Sequence, residues 1–229
     1  MVEAKNCANH WIAPGDHNSH FYPDVMLQNR VDPFGNLIKT TARGNWMGNR
    51  GILHNDHQEI VRAFKFKAWI TCKLEFNGRE RQVMTPHRYT ELFFLDEATS
   101  FAAGHRPCFE CRRVDYQKFK SFWLKGNPGY GFKEETSIKK IDEILHKERI
   151  GSDKSKVFFE ENIDKIPNGS FVLFGKSPYL VFNKQMYLWT PFGYNKPVSM
   201  PGINKLFMLT PKSLVNTFRA GYEPQIALP

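Results

Sequence analysis

FFLDEATSFAAGHRPCFECRR, residues 93–113, carries a strand end, a helix start, a helix stop and a paired-cysteine motif in one short stretch. Phe93-Phe94 closes an apolar strand. Asp96 has the carboxylate that accepts a free N–H at a helix start, so it caps a helix running through Ala103. Gly104 then supplies the left-handed residue that stops it. Pro107 keeps Arg106 extended, and Cys108-Phe109-Glu110-Cys111 heads a new amphipathic segment. Two cysteines separated by two residues let both sulfurs reach one metal ion.

Downstream, Arg112, Tyr116, Phe119 and Trp123 recur at helical spacing, with Phe122 widening the stripe. This predicts a helix from Cys111 to about Lys125, ended by Gly126-Asn127-Pro128-Gly129. Another helix is expected from Glu134 to Arg149, with Ile138, Ile141 and Leu145 on one face. Upstream, Ile70, Cys72, Leu74 and Phe76 alternate with Thr71, Lys73 and Glu75, the period of a half-buried strand. Asn77-Gly78 signals a tight hairpin turn. Residues Arg79 to Met84 are therefore expected to return as its partner, and Tyr89 to Phe94 to form the next strand. Asn36 to Thr40 reads as a short strand. Between Arg43 and His54, Gly44, Gly48 and Gly51 mark a loop whose backbone is able to approach a ligand closely; an ordinary turn-rich connection is the alternative.

Gly151 to Lys156 is the most linker-like segment, which suggests a region 1–150 and a β-rich region 151–229. In the second, Phe171–Phe174, Tyr179–Phe182, Met186–Trp189 and Leu206–Leu209 are expected strands. Thr210-Pro211 is expected to place Thr at the N-cap and Pro at the first position of a last helix, with Leu214, Val215 and Phe218 inward. The fold class is thus α+β: a mixed N-terminal region with a β-hairpin and a zinc-knuckle-like element before a helix, then a smaller antiparallel β region with a terminal helix.

The 229 residues are 41% hydrophobic and 14% aromatic, enough for a substantial core. No apolar run is long enough to span a membrane, and the polar N-terminus lacks a signal-peptide core. With only four cysteines, a reducing cytoplasm is the expected setting. A formal charge of +9 favours an anionic partner, nucleic acid before membrane; a merely Lys-rich soluble surface is the plain alternative. Arg79, Arg81, Arg88, Arg106, Arg112 and Arg113 fall around the Cys pair, and guanidinium forks suit phosphate and base edges. Arg79, Arg81, Arg106, Arg112 and Arg113 are the candidate nucleic-acid contacts. Asn49, Arg50 and His54, in the glycine-rich loop, are the candidate catalytic residues.

Zinc is the expected cofactor, with Cys108 and Cys111 as two of its donors. Phe93-Phe94, Asp96-Glu97-Ala98, Ala102-Ala103-Gly104 and Arg106-Pro107-Cys108-x-x-Cys111-Arg112 together resemble the second half of the Ada-type metal-binding domain. That family, attached to DNA-repair proteins and some nucleases, implies two zinc thiolates at these cysteines. The family's first Cys pair belongs some twenty-five to thirty residues upstream, where this chain has none. The methyl-accepting cysteine of the repair protein lies in that pair, so its activity does not carry over. The chain as a whole resembles uncharacterised bacterial proteins, and that resemblance implies no activity.

Cys72 and His87 are the candidates to complete the site. The alternation around Cys72 favours a core role for it, with metal ligation as the alternative; His87 is open between ligand and exposed loop. His105 adjoins the pair at a position usually aromatic in the family. The cysteines also suggest a rival chemistry. Nucleobase deaminases combine His-x-Glu with Pro-Cys-x-x-Cys around a catalytic zinc, and the chain has His57-Gln58-Glu59 and Pro107-Cys108-x-x-Cys111. Against this, the gap is long and the pair follows a helix and glycine rather than a strand. His17, His20, His54 and His57, with Asp16 and Asp56, form a further possible metal cluster or simply polar loops. The leading expectation is a nucleic-acid-associated protein with a structural zinc, with a nucleic-acid-processing activity in view. The alternatives are a zinc-dependent hydrolase or deaminase of a small nucleobase-like substrate, and a protein-interaction module using an aromatic β surface.

Overall fold

The computed structural model describes residues 26–78 and 82–228. The hydrophobic residues of the N-terminal half condense into short strands: β1 (Arg30–Val31), β2 (Leu37–Ile38), β3 (Trp46–Asn49), β4 (Ile70–Cys72) and β5 (Leu92–Phe94). They precede the helix α1 (Glu97–Ala102) and the strand β6 (Arg106–Pro107). The six strands form one mixed sheet in the order β2–β1–β5–β3–β4–β6. At its centre β3 runs antiparallel to both β4 and β5, while β4 pairs with β6 in parallel.

The middle of the glycine-rich stretch, Trp46–Asn49, is therefore a central strand, and Gly44 and Gly48 serve packing. A Cβ on Gly48 would sit 2.3 Å from the Phe94 ring, and one on Gly44 would sit 2.5 Å from the Phe94 carbonyl oxygen. Phe94 is wholly buried, so the ring uses the space that glycine leaves.

The expected hairpin is corrected. Asn77 and Gly78 do turn the chain in the left-handed region, with φ of 54° and 60°. However, β4 ends at Cys72 and takes β3 and β6 as partners. Residues 82–84 contain no strand, and Arg79 and Arg81 lie outside the described residues. The expected strand face fails too: Thr71 is buried, whereas Leu74 is 46% exposed. Thr71 is drawn inward because its hydroxyl donates to Ser100 Oγ at 3.0 Å.

Three helices follow the sequence pattern closely. In α1, Asp96 caps by accepting the Thr99 N–H at 2.8 Å, and Gly104 stops the helix at φ 86°. The next, α2 (Arg113–Gly126), buries Tyr116, Phe119 and Trp123. Then α3 (Ile138–Arg149) starts four residues later than expected, at the Ser137 cap, and buries Ile141 and Leu145.

The C-terminal half is an antiparallel sheet built from β7 (Phe159–Asn162), β8 (Phe171–Phe174), β9 (Ser177–Phe182), β10 (Gln185–Thr190), β11 (Gly193–Tyr194), β12 (Val198–Ser199) and β13 (Lys205–Met208). Its main order is β11–β10–β9–β8–β13–β7, with β12 beside β10. The terminal helix α4 (Lys212–Arg219) has Pro211 at its N-cap position. The Thr210 hydroxyl, expected to cap it, accepts the Phe171 N–H instead. Glu148 at the end of α3 takes over, accepting the Ser213 N–H at 2.9 Å and the Ser213 hydroxyl at 2.6 Å.

Two apolar clusters join side chains from either side of position 150. Phe101, Phe119, Trp123, Ile141 and Leu145 pack with Leu214, Phe218 and Tyr222. Ala98 and Ala102 pack with Phe171, Leu180, Trp189 and Leu209. Among the described residues, no helix is long and apolar enough to cross a membrane.

Candidate metal centre

The parallel pairing of β4 with β6 places Thr71 opposite Pro107, and the Cys108 N–H continues the ladder to the Thr71 carbonyl at 2.9 Å. One residue further along each chain stand Cys72 and Cys108. The turn that follows brings Cys111 back. The three sulfurs all lie within 4.8 Å of one another. All three cysteines are buried and free, with Met47, Ile70 and Phe76 packed around them.

Zinc at about 2.3 Å from each sulfur would set neighbouring sulfurs about 3.8 Å apart in a tetrahedron. Three soft donors gathered this closely fit such an ion, which would be held by Cys72, Cys108 and Cys111. The Glu110 N–H donates to Cys108 Sγ at 3.4 Å and favours its thiolate form, whereas the hydrogen bond with Cys108 raises the Cys111 pKa, opposed in part by Cys72 and the Lys73 N–H. The sulfurs also compete. Hydrogen bonding from Cys111 and Cys72 pulls the Cys108 thiol far below its ordinary value. Donating to Cys108 and Cys111, with burial added, pushes the Cys72 thiol far up. A lone proton-bearing trio thus supports one thiolate, and a dication is what allows all three to deprotonate.

Cys72 is accordingly both a buried residue, as its alternation implied, and a member of the cluster. His87 is not a member: its side chain is 86% exposed, 3.9 Å from an Asp56 carboxylate oxygen. His105 is completely buried beside Arg50. Among the described residues, no histidine joins a potential metal group, and His17 and His20 lie outside them. His57 is exposed, and Glu59 bonds to the Asn55 amide, so the deaminase-like pair does not meet the cysteines.

Of the five candidate nucleic-acid arginines, Arg106, Arg112 and Arg113 are among the described residues. Arg106 is buried and clasps Asp142 with two bonds of 2.7 Å. Arg112 is buried against Glu97 and Asp115, with its guanidinium 4.0 Å from the Trp46 ring. Neither presents its charge to solvent. Arg113 is exposed and lies over Phe109; Arg79 and Arg81 lie outside the described residues.

The candidate catalytic residues separate. The Asn49 side chain accepts the Gly51 N–H. His54 is buried, with its ring nitrogens 2.6 Å from the Thr90 hydroxyl and 3.2 Å from the Thr85 carbonyl. Arg50, alone of the three, lines a cavity of about 510 Å³. The cysteines do not line that cavity. Neither do His54, His57 and Glu59. In the C-terminal half, Phe174, Phe192 and Phe207 are exposed.

Sequence reading named Cys72 as a candidate ligand but favoured a core role for it, and the structure places it in the cluster. Its distance in sequence from the Cys pair hides the contact, which depends on a parallel β4–β6 pairing. No protein-family model, curated protein or solved structure matches the chain.

Proposed function

We propose that this is a zinc-containing, nucleic-acid-associated protein of the reducing cytoplasm, with its zinc in a structural role. The observation that carries the proposal is the convergence of Cys72, Cys108 and Cys111 as free thiols at one end of the β4–β6 pair. Zinc there would tie the strand end to the turn that opens α2, fixing a point where two short strands offer little pairing of their own. A structural role suits the burial of the thiols and the position of the large cavity elsewhere. The Ada-type resemblance supports the same metal at the same pair. The chain's +9 charge and the exposed Arg88 and Arg113 support a polyanionic partner.

The metal and the partner are tested separately. Purified protein should carry one zinc per chain and lose it in Cys108→Ser; a metal-free, equally stable wild type would remove zinc. DNA and RNA should bind at low salt and weaken steeply as salt rises, by the release of counterions. Arg88→Ala/Arg113→Ala should weaken both. Binding below detection at low salt would remove nucleic acid while leaving the zinc site intact.

A further inference from the structure

The cavity, lined by residues of the N-terminal half and by the segment from Arg149 to Lys156, is ringed by positive charge. Arg50, Arg62, Arg149, Lys154 and Lys156 line it, and no carboxylate does. Arg50 and Arg149 are each only 1% exposed, and each guanidinium carbon lies 3.9 Å from the centre of the Trp69 ring. These two buried cations lean on the same indole.

Their hydrogen bonds are incomplete. Arg50 donates through Nη1 to the Gly35 carbonyl at 2.9 Å and through Nε to His105 Nε2 at 3.2 Å. Its Nη2 has no partner, and neither does Nε of Arg149. The bond from Arg50 requires His105 Nε2 to accept, so His105 is neutral with its proton on Nδ1. Burial and the neighbouring Arg50 and Arg149 hold His105 well below its ordinary pKa, in agreement. The histidine therefore relieves none of the positive charge. Asp32 opposes Arg50 and Lys156, and Asp142 opposes Arg149; burial raises the Asp32 pKa, and Asp142 is already clasped by Arg106.

Buried cations in excess of the carboxylates near them are costly to fold, so a ligand of opposite charge would stabilise a cluster of this kind. Guanidinium forks and an ammonium together suit the three terminal oxygens of a phosphate. The remaining wall is different: Phe34, Leu37, Ile60 and Trp69 are apolar, while Gln28, Asn36 and Ser155 offer neutral polar groups. A volume of about 510 Å³ exceeds what a bare phosphate occupies and falls in the range of small-molecule sites, ~300–1,000 Å³.

We infer that this cavity is a binding site for a phosphate monoester carrying a nucleoside-sized body, with Arg50, Arg149 and Lys156 on the phosphate and the Phe34–Ile60 side against the body. The inference is independent of the zinc and stands on the cavity alone. Two sources share this chemistry, a free mononucleotide and the phosphorylated end of a nucleic-acid strand.

The test uses the full-length protein as purified, in a phosphate-free buffer. Adenosine 5′-monophosphate, adenosine, inorganic phosphate, succinate and a short oligothymidylate with or without a 5′-phosphate are titrated in turn, by calorimetry and by thermal shift. The monophosphate or the 5′-phosphorylated strand should bind, with adenosine and the 5′-hydroxyl strand at least tenfold weaker. Which of the two binds tighter identifies the source. Because Arg50 and Arg149 also hold backbone carbonyls, the diagnostic variants are Arg62→Ala and Lys154→Ala, both exposed at the cavity. Each, and the double variant Arg62→Ala/Lys154→Ala more so, should weaken the phosphorylated ligand severalfold by removing positive charge that faces the cavity, without changing the melting temperature of the free protein. The inference is overturned if no phosphorylated probe binds at millimolar concentration, if succinate binds as tightly, or if the double variant binds unchanged.

Discussion

At the scale of single residues, the arginines near the cysteine pair show how charge in a sequence differs from charge on a surface. Arg106 and Arg112 stand beside Cys108 and Cys111, yet both are interior cations. Asp142 and Glu97 neutralise them from other elements. Nothing local in residues 93–113 announces Asp142, which stands on α3 and meets Arg106 only in the folded chain. Removing one member of a buried ion pair strands the other, at a cost of about 3–5 kcal/mol. Arg106→Ala should therefore lower the unfolding free energy by that order in a urea titration, and Arg106→Ala/Asp142→Leu should recover part of it. An effect below 1 kcal/mol would mean that the pair is solvated.

Lys156 gives a prediction of the opposite kind. Burial, with Arg50 and Arg149 nearby, lowers its folded pKa to about 7 against an ordinary value of 10.5. Between those values the unfolded chain binds the extra proton, so stability rises with pH through this window. The penalty is fully present below pH 7 and has gone above about pH 10.5. Chemical denaturation at pH 6.5 and 9 should show this rise, and Lys156→Met should flatten it. An equal rise in the variant would place the titration elsewhere.

At the scale of elements, the sequence was most readable where local chemistry decides the outcome. Asp96 and Gly104 bracket α1 because a cap and a left-handed stop need only their immediate neighbours. The stripe of Tyr116, Phe119 and Trp123 is buried as its spacing required. Legibility ended where pairing is non-local. Asn77-Gly78 makes its turn, but β4 is already committed to β3 and β6, so among the described residues the turn joins no hairpin. Glycine was misread for a related reason: Gly48 looks like loop flexibility in sequence, yet its missing Cβ is the space occupied by Phe94. Gly48→Ala should thus destabilise by about 1–3 kcal/mol, the cost of overpacking a filled core. Phe94→Leu in the same chain should return some of that loss by giving the new methyl room. Thermal unfolding of the single and double variants measures this coupling, and simple additivity would contradict the packing account.

At the scale of the whole molecule, the C-terminal segment ties the two halves together through α1. Glu97 accepts the Gln225 N–H, and Asp96 accepts the Ala227 N–H and the Tyr194 hydroxyl. The Trp46 indole donates to the Gln225 side chain at 2.8 Å. The last residues therefore complete the hydrogen bonding of two buried carboxylates at a helix start. Deleting residues 225–229 should lower the melting temperature by several degrees or more, because unmet buried acceptors cost about 1–3 kcal/mol each. An unchanged melting temperature would show that water replaces the strap without loss. The cysteine cluster belongs to this scale too, since its thiols come from the end of β4 and from the turn after β6. Cys108 and Cys111 were recognisable from spacing alone; Cys72 required the sheet. Cobalt substitution would count the thiolates, and Cys7→Ser, removing the remaining cysteine, would distinguish a fourth thiolate from an oxygen or nitrogen donor.

The most direct measurement is zinc content per chain, by elemental analysis after exhaustive dialysis, for the wild type and Cys72→Ala. A structural zinc shared by Cys72, Cys108 and Cys111 should give one zinc in the wild type and a loss of most of it in the variant, with reduced stability. Full zinc retention in Cys72→Ala would make Cys72 a packing residue only, and a metal-free wild type would contradict the centre altogether.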